Sequence, residues 1–480
     1  MKVLLIYPPK LNLIHNNLPE FVSLESGNYP PLGIMYLAGY LEQNSACDVF
    51  LIDAQVEGMD YFGLEKRMEE ISPDVVGIYA STLTLADVIL TSRLAKKINP
   101  HIHVSIGGPH ISIYPQEALS FDSVDSVIIG EGEEVFAHLL NLIKSNNLRP
   151  SLNGLLIKND GQILGSKNPA FIEDLDSLPF PARHHLPFKK YSSVISLNNP
   201  ITNLISSRGC PFNCLYCFDG QKAYRARTPK SVIDEIESCV KLGINEFFFF
   251  DDTFGVNRDR VLGICDGIIE RGLNISWNIR TRVNTVDEEV LRKLKKAGCH
   301  LIVYGIEAGT DQILKVLRKG TSVSEAEKAL RLTRSMGITS IANFMLGSPQ
   351  EKREHILKTI DFAIKLDPDY AQFAVTTPYP GTDLYFMALE KGLFKKSTWE
   401  SFAINPDKNF IPPLWEEFFT YQELKNFLAL AYKHFYFRPK YVFRQMKKIS
   451  SINDFLVKSK AALAMFRGTK GKKGEVNAKR

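Results

Sequence analysis

The sequence has no apolar run long enough to cross a membrane near its start. The first apolar run, Val3 to Tyr7, is followed at once by Pro8 and Pro9. It is too short for a membrane span or for a signal peptide. We therefore expect a cytoplasmic protein. Because disulfides seldom persist in that reducing compartment, the seven cysteines are expected to be free thiols or metal ligands.

A strong charge bias is also missing. The formal net charge of the 480 residues is +5, and the tail 467–480 alone carries six Lys or Arg against one Glu. Outside that tail the chain is near neutral, which gives no support to a nucleic-acid partner. With 45% hydrophobic and 23% charged residues, the chain is expected to form two or three globular domains.

Cysteines are scarce except on one loop. Cys210, Cys214 and Cys217 lie within eight residues, whereas the other four cysteines are scattered singly, as buried thiols usually are. Three thiolates can bind a four-iron cubane cluster and leave one iron open to a ligand that is not protein. The alternative, a structural zinc site, needs a fourth Cys or His at a short spacing, and none follows.

Residues 1–145 alternate β-branched runs with helical stretches, which predicts a parallel, flavodoxin-like sheet. The predicted strands are Val3 to Tyr7, Val49 to Asp53, Val75 to Tyr79, His103 to Ile106 and Ser126 to Ile129. Ligands of such sheets bind outside the carboxyl ends of the strands. Small or polar residues recur at those ends: Ser81, Thr82 and Leu83; Gly107 and Gly108; Gly130, Glu131 and Gly132.

Residues 146–200 are interpreted as a proline-rich connector, with a hairpin around Asn159 to Gly161 that we expect to pack between domains. Residues 201–385 alternate six strands with helices, which predicts a partial (β/α)6 barrel related to the TIM barrel. These strands are Thr202 to Ser206, Glu246 to Phe250, Ser276 to Arg280, His300 to Tyr304, Ser340 to Met345 and Tyr370 to Val375.

Residues 386–480 are helical in pattern and rich in aromatic side chains, and we expect them to form a helical cap over the open barrel, followed by the basic tail. Bases and aromatics alternate from Arg438 to Lys448. This mixture suggests a weak contact with a membrane surface.

The spacing Cys-x3-Cys-x2-Cys, with Tyr216 before the last Cys, resembles the radical S-adenosylmethionine (SAM) superfamily. The Ser-x-Leu at residue 81 and the Gly-Gly at residue 107 resemble cobalamin-binding domains, although the Asp-x-His-x-x-Gly that often supplies a cobalt ligand is absent. Together the motifs resemble the cobalamin-binding radical SAM family, class B methylase-like, over residues 1–385.

The resemblance implies a role for each matching residue. Cys210, Cys214 and Cys217 would hold a [4Fe–4S] cluster, and Tyr216 would lie against the SAM adenine. The remaining SAM contacts would be Asp251 and Asp252 with the amino group, Arg280 or Arg282 with the carboxylate, Glu307 with the ribose or amino group, and the Gly347 loop with the adenine. The Ser81 hydroxyl would bond the cobalamin tail, and Gly107 and Gly108 would let it pass, with Thr82, Leu83, Gly130, Glu131 and Gly132 as further contacts.

The function implied is methyl transfer from methylcobalamin to an unactivated carbon by way of a 5′-deoxyadenosyl radical. The alternatives are a radical oxidative cyclase or ring-rearranging enzyme and, more remotely, a cobalamin-binding sensor without activity. A second cluster, as in methylthiotransferases, is not expected, because the N-terminal domain contains only Cys47. Expected partners are a small-molecule substrate, such as a lipid, polyketide or tetrapyrrole, and an electron donor such as flavodoxin or ferredoxin.

Overall fold

The computed structural model describes residues 1–14, 27–218 and 223–447. None of the helices in these ranges has the length and apolar character needed to span a membrane. The basic tail from residue 467 and Lys448 lie outside the described residues.

An N-terminal sheet of seven strands begins the fold. Its strands are β1 (Lys2–Tyr7), β2 (Asp48–Asp53), β3 (Val75–Tyr79), β4 (His103–Gly107), β5 (Ser126–Ile128), β6 (Leu155–Asn159) and β7 (Gln162–Gly165). The spatial order is β2-β1-β3-β4-β5-β6-β7, parallel through β5 and antiparallel beyond it. The five predicted strands are present. The predicted hairpin is present as well, but it extends this sheet instead of packing between domains, because β6 pairs with β5.

Helices cover both faces of this sheet. They are α1 (Leu32–Asn44), α2 (Ala54–Glu57), α3 (Tyr61–Ile71), α4 (Leu85–Ile98), α5 (Pro115–Leu119) and α6 (Glu133–Lys144). Alternate residues of β1 enter different cores: Leu4 and Ile6 pack with α3 and α4, whereas Val3 and Leu5 pack with α1 and α6. This alternation is why the central strands are apolar throughout.

Six parallel strands form the second sheet: β8 (Ile201–Leu204), β11 (Glu246–Phe249), β12 (Ser276–Thr281), β13 (Cys299–Glu307), β14 (Thr339–Leu346) and β15 (Tyr370–Val375). A two-stranded ribbon, β9 (Ser207–Arg208) and β10 (Arg225–Ala226), flanks the cysteine loop. The outer helices are α7 (Pro229–Lys241), α8 (Arg258–Glu270), α9 (Glu288–Lys296), α10 (Asp311–Val316), α11 (Val323–Ser335) and α12 (Arg353–Leu366). The sheet is the partial barrel predicted from the sequence.

The C-terminal region is helical, as predicted: α13 (Asp383–Glu390), α14 (Ser397–Ile404), α15 (Tyr421–Tyr436) and α16 (Pro439–Lys447). Helix α15 lies beside the last strand of the barrel instead of across its mouth. Tyr432 and Tyr436 exchange hydrogen bonds with the backbone of Phe373 and Ala371, at 2.8–3.2 Å. Because β15 is an edge strand, its backbone groups need partners, and these hydroxyls supply them.

Buried ion pairs tie the two domains together. Glu235 of α7, fully buried, pairs with Arg183 of the connector at 2.6 Å and with Arg227. The Tyr36 hydroxyl of α1 accepts from Arg227 at 3.3 Å. A carboxylate removed from water needs such partners, so this network fixes how the barrel sits against the first domain.

Candidate functional site

One cavity of about 790 Å³ lies between the carboxyl ends of the two sheets. Thirteen of the site residues predicted from the sequence line it: Gly107, Gly108, Gly130, Glu131, Gly132, Cys210, Cys214, Tyr216, Cys217, Asp252, Arg280, Arg282 and Glu307. Five others are not part of its wall: Ser81, Thr82, Leu83, Asp251 and Gly347.

The cysteine loop is held by backbone contacts on both sides. It leaves the ribbon through Gly209, whose φ of +80° favours glycine. The buried Leu215 donates its N–H to Leu317 O at 3.0 Å, and its carbonyl accepts from Leu384 N at 2.9 Å. The loop is thereby attached to the segments that follow β13 and β15, and its thiols face the cavity.

Two cations face the thiols. The Cys217 thiol donates to Cys214, and Lys319 and Arg282 add positive charge, so the pKa of Cys214 falls to about 5, although burial opposes the shift. The hydrogen bond to Cys214 and, after it, desolvation raise the pKa of the donor, Cys217. Arg282 donates to Cys214 Sγ at 3.4 Å and stacks 3.8 Å from the centroid of the Phe212 ring. Soft ligands that ionise readily beside cations suit an iron–sulfur cluster.

Glu307 lies in a strained conformation at the end of β13. Its φ is +73°, in the left-handed region, and the register with β14 shifts at this point. Lys319 Nζ donates to Glu307 Oε1 at 2.8 Å and to the Tyr216 hydroxyl at 3.1 Å. The three side chains form a polar group beside the cysteines.

Lys319 was missed by the sequence reasoning. It follows the short helix α10, which packs Ile313 and Leu314 against Tyr216 and so turns the chain back toward the thiols. It is only 5% exposed and lines the cavity. No spacing rule signals a cation that reaches the site from beyond the helix after its strand.

The two aspartates after β11 have different surroundings. Asp251 is buried and accepts from Ser206 N, Ser206 Oγ and Ser207 Oγ at 2.6–2.7 Å, and Arg260 lies 3.4 Å away. Asp252 instead faces the cavity, where desolvation and the charge of Asp251 raise its pKa. Asp251 therefore supports the loop, and Asp252 is the carboxylate available to a ligand.

Small residues form the opposite wall. A Cβ on Gly107 would lie 3.4 Å from Ile128, an ordinary contact, whereas one on Gly108 (φ +122°) would lie 2.7 Å from Ala80 O. Gly107 therefore leaves room on the cavity side, and Gly108 is required by the backbone itself.

Ser105, on β4, is the second residue that sequence reasoning missed. Its side chain is 1% exposed and lines the cavity, and its Oγ has no hydrogen-bond partner among the described residues. An unpaired buried hydroxyl is costly unless a ligand completes it. A polar ligand group lying beside β4, as a cobalamin tail would, fits this wall. The signal available in the sequence is a lone Ser in an otherwise apolar central strand.

Several predicted contacts are instead used within the protein. Ser81 Oγ pairs with Thr84 at 2.9 Å, and Thr82 Oγ1 pairs with His110 Nδ1 at 3.1 Å. A Cβ on Gly347 would meet Leu424 of α15 at 2.4 Å, which places that turn against a helix.

Glu131 lines the cavity but is engaged by arginines of the barrel. It forms a bidentate pair with Arg225 at 2.7 and 3.0 Å and a further pair with Arg208 at 3.1 Å. Although burial opposes the shift, these arginines hold the pKa of Glu131 below its usual range. Because Arg208 lies two residues before Cys210, Glu131 links the edge of the first sheet to the cysteine loop.

Comparisons with known proteins agree with this architecture. A family model described as the radical SAM superfamily matches residues 204–363, and one described as a B12 binding domain matches residues 25–140. An uncharacterized methyltransferase of Pyrococcus horikoshii is 33% identical over 463 residues, which cover 95% of this chain and 96% of that protein. The anaerobic magnesium-protoporphyrin IX monomethyl ester cyclase of Rubrivivax gelatinosus is 32% identical over 395 residues, which cover 80% of this chain and 69% of that protein.

A solved structure shares the fold across nearly the whole chain. The cobalamin-dependent S-adenosylmethionine radical enzyme OxsB, with aqua-cobalamin bound, has a TM-score of 0.74 at 17% identity, covering 97% of this chain and 72% of that chain. Fold and site thus define a radical SAM enzyme with a B12-binding domain. The chain belongs to the family of cobalamin-dependent radical SAM enzymes, and its cofactors are a [4Fe–4S] cluster, SAM and cobalamin. The family, enzyme class and cofactors predicted from the sequence are confirmed, and a sensor without activity is not favoured.

Proposed function

We propose that this enzyme transfers a methyl group to an unactivated carbon of a small-molecule substrate. The observation that carries the proposal is the shared cavity, which places the three clustered cysteines opposite the small-residue wall of the first domain. When bound, the cofactors supply hydrogen-atom abstraction from the substrate and a methyl group for the resulting carbon centre. The protein's part is to hold the groups in line and to exclude water.

The residues of the barrel rim are assigned to the cluster and SAM. Cys210, Cys214 and Cys217 hold the cluster. Lys319 takes the SAM carboxylate, because of the two buried cations that act on Cys214 it is the one that contacts Glu307. Glu307 and Asp252 accept from the amino group and ribose, and Tyr216 packs against the adenine. This proposal puts Lys319 in place of Arg280 or Arg282, the two residues expected from the sequence, as the partner of the SAM carboxylate.

The residues of the first domain are assigned to cobalamin. Gly107 leaves space for the tail, and the unpaired Ser105 hydroxyl forms a hydrogen bond with it. Gly130 and Gly132 continue the small-residue wall. Ser81, expected to contact the tail, is bonded to Thr84 and has no part in this proposal.

Methyl transfer and cyclisation differ in how SAM is used. A methylase consumes one SAM to recharge the cobalamin and one to make the radical, so its products are S-adenosylhomocysteine and 5′-deoxyadenosine. A cyclase needs only the second. With reduced holoenzyme, candidate polyketide, lipid or tetrapyrrole substrates and methyl-deuterated SAM, we expect equimolar nucleosides and one labelled methyl in the product. An altered product without the label would favour the cyclase, for which the 32% identical cyclase relative is the supporting observation.

The choice of partners and location extends the same proposal. We infer an electron donor such as flavodoxin or ferredoxin, because the cluster must be reduced and Cys217 is exposed on the cavity side. A cytoplasmic location suits seven free cysteines. We also infer a weak contact of α16 with a membrane surface.

A further inference from the structure

The barrel interior contains a cation that the cofactor assignments leave unused. Trp277 and Ile279 of β12 point into the outer core, so Arg280 points inward. Its side chain is exposed to the cavity. Within the described ranges, no carboxylate pairs with it.

Arg280 is held in place without being neutralised. Its guanidinium lies 4.4 Å from the centroid of the Phe250 ring, and its N–H groups donate to no other residue in the described ranges. Desolvation lowers its pKa, although Tyr29 opposes the shift. A guanidinium at a cavity wall that has no counter-ion offers a binding site for an anion.

The SAM carboxylate has a better partner elsewhere. Arg282 and Lys319 are the cations that act on Cys214, and Arg282 is further engaged with the Lys319 carbonyl. Arg280 precedes Arg282 by two residues, and thus lies about 7 Å further from the carboxyl end of the strand. It stands beneath the cofactor site rather than beside the cysteines.

The surroundings of Arg280 resemble a binding floor for an organic molecule. Val303 of β13 is level with Arg280. Asn343 of β14 pairs with Gly305, so it lies two residues closer to the carboxyl ends of the strands, in the wall of the same cavity. Asn343 Oδ1 is buried without a hydrogen-bond partner among the described residues. This part of the cavity therefore offers the Arg280 cation, the apolar side chains of Phe250 and Val303, and the Asn343 acceptor.

We propose that Arg280 binds a carboxylate of the substrate, so that the substrate class is an organic acid whose apolar body lies over Phe250 and Val303. This inference rests on the proposed function insofar as the cavity is the active site. A carboxylate is favoured over a phosphate because it matches the planar fork of one arginine, whereas a phosphate dianion would keep an unneutralised charge beside this single cation.

The test compares acids with their amides in binding, without turnover. Acetate, benzoate and indole-3-acetate, each paired with its amide, are titrated calorimetrically into unreduced holoenzyme loaded with cobalamin and SAM. The acids should bind the wild type about tenfold or more tightly than the amides, as expected for a hydrogen-bonded charge. Arg280→Gln should remove that preference, and Arg280→Lys should retain part of it.

Two variants serve as controls. Asn343→Leu changes the same cavity without changing charge, and Lys315→Gln removes an exposed cation that does not line the cavity; both should keep the acid preference. Equal binding of acid and amide, an acid preference that survives Arg280→Gln, or no acid binding up to about 10 mM would overturn the assignment. Since nothing is reduced or methylated here, failure of the methyl-transfer test would leave this result standing, and the reverse also holds.

Discussion

The two walls of the cavity hold their cofactors by opposite means. The wall of the first domain carries glycines, apolar side chains and one unpaired hydroxyl, and the acids that line it, Glu131 and Glu133, are already bound by Arg225 and Arg208. The barrel wall carries thiols, a buried lysine and carboxylates that face inward. The first wall therefore accommodates a large ligand by leaving space, whereas the second binds charged groups by ligation and ion pairing. Substitutions should separate these two modes.

The largest effect should come from removing the thiols. Replacing Cys210, Cys214 and Cys217 by Ala should abolish iron loading and deoxyadenosine formation, because no other ligand set is available on that loop. Cobalamin should still bind, since its wall lies on the other domain. Iron content and the cobalamin absorbance of the reconstituted protein measure both. Wild-type iron in the triple variant would refute the cluster assignment.

The converse separation is expected at Gly107. A leucine there fills the space beside Ile128 without backbone strain, so bound cobalamin should fall at least about tenfold while the iron content stays unchanged. Gly108 is a poorer test, because its Cβ would strike the Ala80 backbone whether or not cobalamin is present. Gly63→Leu, on helix α3 and away from the cavity, is the matched control. If Gly107→Leu bound cobalamin with normal stoichiometry, the cobalamin tail would not lie against this wall.

The turn after β14, which lies outside the cavity wall, should show a pH dependence of its own. Glu351 is buried, and desolvation raises its pKa from 4.5 to about 7, although Ser348 N donates to it. Between these two pKa values the folded state holds a proton that the unfolded state has lost. The stability that Glu351 contributes is therefore fully present below pH 4.5 and is lost as the pH rises through about 7. The loss is about 3 kcal/mol.

Glu351→Gln should remove this pH dependence. Urea unfolding of the wild type and the variant between pH 4.5 and pH 8 measures the difference in unfolding free energy. We expect the unfolding free energy of the variant, relative to that of the wild type, to increase as the pH rises. Parallel curves for the two proteins would mean that Glu351 titrates normally.

A moderate effect is expected at Lys319. Replacing it by Met removes the proposed partner of the SAM carboxylate and leaves Glu307 buried without its ion pair, which should raise the KM for SAM about tenfold or more. Lys319→Arg should recover part of the loss. The exposed Lys315, four residues earlier, is the control and should behave as wild type. If Lys319→Met had an unchanged KM for SAM, the SAM carboxylate would have to bind a different cation.

The contrast between the walls also explains what the sequence could predict. All strands of both sheets were found, because β-branched runs and their spacing are local signals, and so were the cysteines, which share one loop. Lys319 and Ser105 were not found, because each reaches the cavity through packing that no short motif records. Glu131 was expected to contact cobalamin. Its ion pair with Arg225 could not be foreseen, because the two residues are 94 positions apart in the chain. Ser81 was expected to bond the cobalamin tail. Its hydrogen bond with Thr84 could not be foreseen, because a hydroxyl at a strand end gives no sign of its partner.

The smallest effect concerns the membrane hypothesis for α16. Asp367 pairs with Arg438, Lys440 and Arg444, so the basic side chains anchor this helix to the barrel. Apolar side chains are also exposed on this helix: Val442 is 41% exposed and Met446 62%. Because one helical face offers so little area, we expect only weak liposome flotation. Replacing Val442 and Met446 by Glu should abolish it, since the charges would have to enter the interface while the Asp367 pairs stay intact. Phe386→Glu, at another exposed apolar position, is the control and should float as the wild type does. Equal flotation of all three proteins would show that α16 does not contact the membrane.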